Sequence, residues 1–393
     1  MAKKTKSWCS EDEHESFDRF TDFNAWIDSD EEEAKALKTR FGLNKLTHPS
    51  KAFFASDREA YEQAFREYRL QKRKEVLSTE FLDDAFGDSH WSERNETRFD
   101  QFLDQLFDNA AVPFIGAGVS VAGGFPTWKN HLRQQGKTAG IPLETIESLL
   151  SDGQFETIID KIESTLGKDV FAQEIRDVFS KTGDLEEITL IITDLFTDTL
   201  ITTNYDRLIE TSFDIGPEDE FEVFHSFDAM VKPASNRTTI IKLHGDIRSP
   251  QRCILGRSQY DDAYGSESID LSLPIPKLLK YHYITNSLLF VGCSLNNDRT
   301  IQVFRAVKEA IGDLDLPQHF SLEQIPVDDN SEPSEQGLIS RNAELLNLGI
   351  TPIWFPHGEF SFIESILRHS RCELNYRICS TLKSKSPKLS ASA

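Results

Sequence analysis

The chain has 393 residues, of which 27% are charged and 38% hydrophobic, proportions typical of a soluble globular protein. Its 65 acidic residues outnumber its 43 basic ones, and the net charge of −22 argues against direct nucleic-acid binding, which needs clustered Lys and Arg. The five cysteines form no C-x-x-C pair, no apolar run approaches the length of a membrane span, and the first residues lack a signal-peptide core. We therefore expect a cytoplasmic protein with neither a membrane nor a nucleic-acid partner.

Residues 1–92 are predicted to form a helical extension. Residues 1–15 change from basic to acidic and are predicted to be disordered. Over residues 16–46, aromatic side chains recur at three-residue spacing, a pattern found in helix cores and in subunit contacts. Ser56 then opens a capping box, which predicts a long helix over residues 56–77. The extension carries no catalytic pattern, so we expect it to serve assembly or regulation of a homo-oligomer.

Residues 112–128, VPFIGAGVSVAGGFPTW, predict a buried strand that ends in a glycine-rich turn. Glycines at such a turn let the backbone approach a ligand and expose consecutive N–H groups, an arrangement that suits a pyrophosphate. An ordinary strand–loop–helix corner would explain the same glycines about as well. Val121 stands where the usual dinucleotide fingerprint has its third glycine. The chain also has no G-x-x-x-x-G-K-[ST], which argues against a P-loop nucleotide hydrolase.

After this turn, residues 130–181 are predicted to be helical, and Asp184 is predicted to cap a helix that ends at Phe196. Strand patterns then alternate with helical ones, which predicts an α/β fold with a parallel sheet covered on both faces. Ligands of such sheets bind beyond the carboxyl ends of the strands. Residues 376–393 are predicted to be a disordered tail. The later predicted strands are residues 199–202, 221–224, 239–243, 288–291, 319–324 and 351–355, and the later helices include residues 298–311 and 361–367.

Three polar side chains that follow predicted strands are candidates for catalysis. His244 can take a proton from a sugar hydroxyl or orient a water, although a lone His at a strand end is more often a structural hydrogen bonder. Asn204 offers a donor and an acceptor, and an Asx-turn that merely ends the strand is the alternative. Asp206 could bind a ribose or orient the site, and it could equally cap the helix that follows.

The glycine turn and three later motifs resemble those of sirtuins and occur in the same order. The motifs are GAGVS with GFPTW (residues 116–128), TTNYD (202–206), KLHGD (242–246) and VGCS (291–294). The resemblance covers residues 95–368. It implies a Rossmann-like parallel sheet of sirtuin type with a helical subdomain, which together form an NAD-binding catalytic domain over residues 93–375.

The resemblance also implies a role for each matching residue. Asn204 and His244 would act at the nicotinamide ribose of NAD+, with Asp206 as a third member of the catalytic set. Three positions of the nicotinamide loop depart from the family, since Thr127, Trp128 and Lys129 stand for Asp, Phe and Arg. The implied cofactor-binding residues are Gly116, Ala117, Gly118 and Ser120 at the phosphates, Pro126 and Trp128 in the nicotinamide loop, Thr203, and Gly292 and Ser294 near the adenine ribose.

A larger departure concerns metal. Protein-deacylating sirtuins generally carry two cysteine pairs that bind zinc after the catalytic His, whereas this chain has only Cys253 between His244 and Val291. We therefore expect no metal and place deacylation in doubt. Zinc-less domains of this sort resemble NAD-hydrolysing effectors of bacterial antiphage systems, in which NAD depletion causes abortive infection. The resemblance implies an NAD+ hydrolase with a possible HerA-type ATPase partner. The alternatives are an NAD-dependent deacylase, an ADP-ribosyltransferase, and a non-catalytic NAD-sensing scaffold.

Overall fold

The computed structural model describes residues 10–77, 79–87, 90–214, 221–225, 237–249, 252–295, 298–312 and 316–385. The described residues divide into two units, one made of those that fall in Met1–Glu96 and Ser365–Ala393 and the other of those in Thr97–Glu364. In chain order the elements are α1 (Glu11–Asp18), α2 (Thr21–Asp28), α3 (Glu32–Arg40), α4 (Pro49–Ser56), α5 (Arg58–Val76), α6 (Thr79–Phe86), α7 (Trp91–Phe107), β1 (Ala111–Ile115), α8 (Ala117–Ala122), α9 (Trp128–Thr138), α10 (Leu143–Ser151), α11 (Phe155–Leu166), α12 (Lys168–Phe179), α13 (Glu187–Leu195), β2 (Thr199–Thr202), α14 (Leu208–Asp214), β3 (Phe221–His225), β4 (Thr238–Lys242), α15 (Arg257–Tyr264), α16 (Pro274–Thr285), β5 (Ser287–Val291), α17 (Arg299–Ile311), β6 (His319–Gln324), α18 (Glu335–Asn347), β7 (Ile350–Phe355) and α19 (Ser361–Lys385).

The first unit is a helical bundle whose core is made by the aromatic residues of the extension. Phe23 is fully buried and its ring lies 5.1 Å from that of Tyr61 and 5.3 Å from that of Phe65. Helix α19 packs in the same core through Cys372. The aromatic pattern of residues 16–46 therefore serves the core of this unit, which was one of its two interpretations.

Ion pairs tie α19 to the N-terminal helices of the same unit. Arg69 donates to Glu373 at 2.7 Å, and Arg371 donates to Asp22 at 2.7 Å, with all four side chains largely shielded from water. The predicted division at residue 375 and the predicted disorder of residues 376–385 therefore differ from the structure, in which α19 continues to Lys385. The partners of α19 lie about three hundred positions earlier in the chain, so local composition did not reveal them.

Some predicted helix starts are also corrected. Residues 11–15, predicted to be disordered, belong to α1, whose N-cap Ser10 forms a complete capping box with Glu13. The N-cap of α5 is Asp57, whose side chain accepts from the Ala60 N–H, because Ser56 is still the last residue of α4. Asp184 caps no helix, since α13 begins only at Glu187. The remaining predicted disorder, at residues 1–9 and 386–393, lies outside the described residues.

The second unit contains a seven-stranded parallel sheet in the order β3-β4-β2-β1-β5-β6-β7. Strands β4, β5 and β7 are buried along their whole length, as strands covered by helices on both faces must be. The predicted α/β fold with a parallel sheet is confirmed. Because every strand runs the same way, all seven carboxyl ends meet at one edge of the sheet.

Helices α9 to α12 form the helical subdomain that was predicted. Their inward faces carry branched and aromatic side chains that are completely buried, among them Leu132, Ile146, Ile158 and Phe171. Breaks centred on Gly153 and Gly167 separate α10, α11 and α12, and both glycines have positive φ. Among the described helices, none combines the length and the apolar character needed to cross a bilayer.

Candidate functional site

A cleft of about 1620 Å³ opens at the carboxyl edge of the sheet, larger than the roughly 300–1,000 Å³ typical of small-ligand pockets. Strands β1, β2, β4, β5 and β6 all end at it. The structure brings every residue selected from the sequence to its wall: Gly116, Ala117, Gly118, Ser120, Pro126, Trp128, Thr203, Asn204, Asp206, His244, Gly292 and Ser294. Their shared location supports one site, while the role of each residue stays a prediction.

The glycine turn after β1 packs directly against the turn after β5. A Cβ on Gly118 would lie 2.8 Å from the Gly292 Cα, and Gly292 itself has φ +67°. The Gly118 N–H donates to the Gly292 carbonyl at 2.9 Å, so it is already engaged within the protein. Among the described residues, the Ala117 N–H at the start of α8 donates to no protein atom. These glycines are therefore required for backbone approach between strands, and Ala117 presents the N–H that remains for an anion.

Asn204 is held by hydrogen bonds that leave its oxygen available. Its Nδ2 donates to the Gly116 carbonyl at 3.0 Å and to Ser120 Oγ at 2.9 Å, and its backbone N–H donates to Thr202 Oγ1. Within the described part of the chain, Oδ1 accepts no hydrogen bond. The amide thus spans the ends of β1 and β2 and presents an acceptor in the cleft.

Asp206 is hydrogen-bonded to Ser120, the same side chain that accepts from the Asn204 amide. One of its carboxylate oxygens accepts from Ser120 Oγ at 2.7 Å, and the other accepts from the Leu208 N–H at 3.1 Å. Since both oxygens are bound by protein donors and the residue is only 5% exposed, Asp206 orients Ser120 and the first turn of α14. These contacts fit two of its alternatives from sequence, orientation of the site and capping of the next helix, and contact with a ribose stays a prediction.

His244 lies in an aromatic pocket at the end of β4. Its Nε2 is 2.8 Å from the Tyr264 hydroxyl, and its ring packs edge-on against Tyr260 at 5.3 Å. Burial lowers the pKa of His244 to about 4, because the apolar surroundings disfavour the imidazolium. The ring is therefore neutral near pH 7 and can accept a proton or a hydrogen bond at a ring nitrogen. Sequence reasoning missed Tyr264, whose only signal was an aromatic pair at helical spacing after Gly256.

Lys242 is a second residue whose function sequence reasoning missed, although it stands in the KLHGD motif. Its ammonium is 1% exposed and donates to Glu210 at 2.9 Å, to the Tyr205 carbonyl at 3.4 Å and to the Asp206 carbonyl. A buried charge is tolerated only when it is paired and hydrogen-bonded. Lys242 therefore holds the loop that carries Asn204 against the end of strand β4, which His244 follows two residues later.

The predicted nicotinamide loop packs on the helical subdomain. Thr127 is the N-cap of α9 and accepts from the Asn130 N–H at 3.1 Å, which is the capping that the family's Asp would also provide. Trp128 stacks on His131 with ring centroids 5.5 Å apart and leans on Tyr205 at 5.6 Å. The departure at Thr127 therefore preserves the local structure, and the large ring of Trp128 gives the loop an aromatic anchor beside the cleft.

Two arginines, Arg257 and Arg299, also line the cleft. Arg299 donates to both carboxylate oxygens of Glu156 at 2.7 and 2.9 Å and to Asp261 at 2.7 Å. Arg257 donates to Asp160 at 2.6 Å and also reaches Glu156. These pairs join α11 of the helical subdomain to α15 and α17 beside the sheet. No motif in the sequence indicated them.

Comparison with known proteins supports the resemblance. Residues 198–366 match the family described as SIR2-like domain, a range that includes Asn204, His244 and Gly292. The chain is 29% identical over 218 residues to the NAD(+) hydrolase ThsA of Cytobacillus dafuensis, which covers 55% of this chain and 42% of the relative. It is 27% identical to the protein of the same name from Bacillus cereus (strain MSX-D12), over 56% of this chain and 44% of the relative, and 25% identical to that of Enterococcus faecium, over 58% and 45%. The chain thus spans less than half the length of these relatives.

Proposed function

We propose that this chain, which carries a SIR2-like domain, hydrolyses NAD+ to nicotinamide and ADP-ribose. The observation that carries the proposal is the register of β2 and β4, in which Thr202 pairs with Lys242. Asn204 and His244 each follow two residues later, on strands about 4.8 Å apart. Both residues line the same cleft, so a neutral imidazole and an amide oxygen are available to one ligand.

These two groups suit cleavage of a nicotinamide–ribose bond. The bond between C1′ and the ring nitrogen breaks with its electron pair moving to nicotinamide, which leaves as a neutral molecule. Water adds to C1′, and its second proton passes to solvent. His244 accepts a hydrogen bond or a proton from a ribose hydroxyl or the water, and the Asn204 oxygen orients the same water. The names of the relatives, NAD(+) hydrolase ThsA, support the same substrate.

Deacylation is placed below hydrolysis because only one cysteine, Cys253, stands between His244 and Val291, where deacylating sirtuins generally carry two pairs. The thiol is 2% exposed and its Sγ lies 3.2 Å from the Asp246 carbonyl. Burial raises the pKa of Cys253 to about 12. Within the described ranges, no three His, Cys, Asp or Glu side chains form a ligand group. We extend the proposal to antiphage defence with a HerA-type ATPase as partner on the family resemblance alone, and to a cytoplasmic homo-oligomer on the sequence patterns described above.

The proposal is tested by incubating the intact protein with NAD+ and resolving the products. We expect nicotinamide and ADP-ribose in equal amounts, and a loss of about 10²–10⁴-fold in turnover for His244→Ala and for Asn204→Ala. His282→Ala is the matched control, because His282 is also buried with a pKa of about 4 but lies on α16 away from the cleft. A folded His244→Ala protein with wild-type turnover would refute the assignment. O-acyl-ADP-ribose formed with acylated peptide would identify a deacylase, and NAD+ binding without turnover would identify a scaffold.

A further inference from the structure

Helix α16 has an outward face that carries two lysines and an aromatic ring. Its inward face is completely buried, as at Leu279 and Tyr283. Lys277, Lys280 and Tyr281 lie at spacings of three and four residues, so they share the opposite face. A groove of about 410 Å³ runs along this face, here called the α16 groove, and it is lined by Leu271, Ser272, Lys277, Lys280, Tyr281 and Ile284.

The polar groups of the α16 groove are not used within the part of the chain that the structure describes. There, neither Lys277 nor Lys280 forms an ion pair, and neither ammonium group donates a hydrogen bond. The Tyr281 side chain is 59% exposed, and its hydroxyl has no hydrogen-bond partner among the same residues. Ammonium groups are donors only, and a phenol hydroxyl also donates. The groove therefore combines an apolar lining with three donors and two positive charges, which suits a segment rich in carboxylates.

The N-terminal extension carries such a segment at the start of α3, residues 30–33, here called the acidic block. Glu31 is the N-cap of α3 and its side chain makes no capping bond, while Glu32 and Glu33 stand in the first turn. All four carboxylates are exposed, and only Asp30 has a cation near it, Lys35 at 3.9 Å, among the ion pairs of the described residues. The helix dipole favours acidic residues at this position but leaves their oxygens facing water.

A second copy of the chain is the occupant that these charges favour. Each copy has a net charge of −22, so two copies repel each other at long range and can associate only where a local attraction opposes that repulsion. The acidic block and the α16 groove supply opposite charges, and every copy carries both. The aromatic side chains of residues 16–46 are used in the core of their own unit, which leaves the exposed acidic block as the part of this stretch free for a subunit contact.

We propose that the acidic block of one copy docks in the α16 groove of another, with Lys277, Lys280 and Tyr281 donating to its carboxylates. This inference rests on the homo-oligomer of the proposed function and names the two surfaces that form it. Because the two surfaces differ, the contact is head-to-tail. Head-to-tail contacts produce a closed ring when the rotation between neighbours closes, and an open chain when it does not.

Charge reversal on each surface tests the contact in the full-length chain. One variant combines Lys277→Glu with Lys280→Glu, and the other combines Glu32→Lys with Glu33→Lys. In either variant the two surfaces carry charge of the same sign, so we expect the dissociation constant of the oligomer to rise at least about 100-fold. In an equimolar mixture each variant offers the surface that the other lacks, and we expect alternating oligomers of the two.

The measurement is sedimentation velocity with light scattering, and circular dichroism shows whether each variant is folded. A chain that carries all four reversals should assemble alone, because its groove is acidic and its block is basic. Lys137→Glu with Lys161→Glu is the matched control, since it changes the net charge as much as the groove variant does, at exposed positions on the helical subdomain. We expect it to keep the wild-type dissociation constant within about threefold.

Each remaining outcome decides against the contact. Variants that stay assembled would overturn the inference and leave the homo-oligomer to another surface. Monomeric variants that fail to assemble when mixed, together with a four-reversal chain that stays monomeric, would also overturn it. A monomeric wild-type protein would remove the homo-oligomer as well and leave the groove to an acidic partner of another sequence. Nicotinamide release by the wild-type protein is measured separately, so hydrolysis can stand or fall without this contact.

Discussion

Removal of the Tyr264 hydroxyl tests how His244 is prepared for reaction. The hydroxyl lies 2.8 Å from His244 Nε2, and Tyr264 is completely buried. A hydrogen bond at one ring nitrogen determines which nitrogen carries the proton and which way the ring faces. In Tyr264→Phe, Nε2 faces a phenyl ring and no water, so both the tautomer and the orientation of His244 become less defined.

The expected loss of activity follows from leaving one buried group, His244 Nε2, without a hydrogen-bond partner. Such a group costs about 1–3 kcal/mol, which corresponds to roughly 5- to 150-fold if the loss is expressed in the transition state. We expect kcat/KM for NAD+ to fall within this range in Tyr264→Phe. The residual activity should exceed that of His244→Ala, because the imidazole is still present.

Tyr283→Phe provides the matched control. Tyr283 is also completely buried, and its hydroxyl donates to the Leu348 carbonyl, away from the cleft. Both substitutions remove one buried phenol hydroxyl and should lower the free energy of unfolding by a similar amount. The assay is steady-state release of nicotinamide, accompanied by urea unfolding of each variant. If Tyr264→Phe loses no more activity than Tyr283→Phe at equal stability, the hydroxyl does not prepare His244.

Three further predictions concern the whole chain. Acidification from about pH 7 to about pH 5 should lower the melting temperature. Burial holds the pKa of five histidines at about 3 or 4, whereas the unfolded chain takes up protons on them near pH 6.5; the five are His131, His244, His282, His319 and His369. A constant or rising melting temperature would contradict this prediction. The raised pKa values of Glu163, Asp298 and Glu323 act in the opposite direction, but they are three groups against five. The purified protein should contain no stoichiometric zinc and should keep its activity with a chelator, and metal analysis showing zinc lost together with activity would refute this. Light scattering of the intact chain should show an oligomer, and a monomer at micromolar concentration would remove the assembly role proposed for residues 1–92.

The strands of the sheet could be predicted closely because each combines a short apolar run with a clear local end. The predicted residues 199–202 and 319–324 coincide with β2 and β6, and the other predicted strands differ from the structure by one or two residues. The helix starts were less accurate, because Ser56, Asp57 and Asp184 all have side chains that can cap. Only Asp57 stands where the chain leaves one helix and begins the next.

The candidate site likewise has residues that the sequence could indicate and partners that it could not. Asn204, Asp206 and His244 could be selected from the sequence, because each is a polar residue close after the end of a strand. Their partners could not be selected: the ring nitrogen of His244 meets a hydroxyl twenty positions away, and the Asn204 amide meets Ser120 eighty-four positions away. Spacings of that kind carry no local periodicity, so they become visible only once the chain is folded.

The sequence by itself determined the alternation of strands and helices, the glycines that let two strand ends approach each other, and the polar residues that follow the strands. These features depend on φ/ψ preferences and on the burial of short apolar runs, which are properties of neighbouring residues. Only the tertiary structure decided three further features. Lys242 is buried and paired with Glu210, Arg341 is hydrogen-bonded to Glu323, and α19 packs with the N-terminal helices. Each of these depends on which distant groups exclude water from one another, because charges and hydrogen bonds acquire their strength and their pKa values from that exclusion.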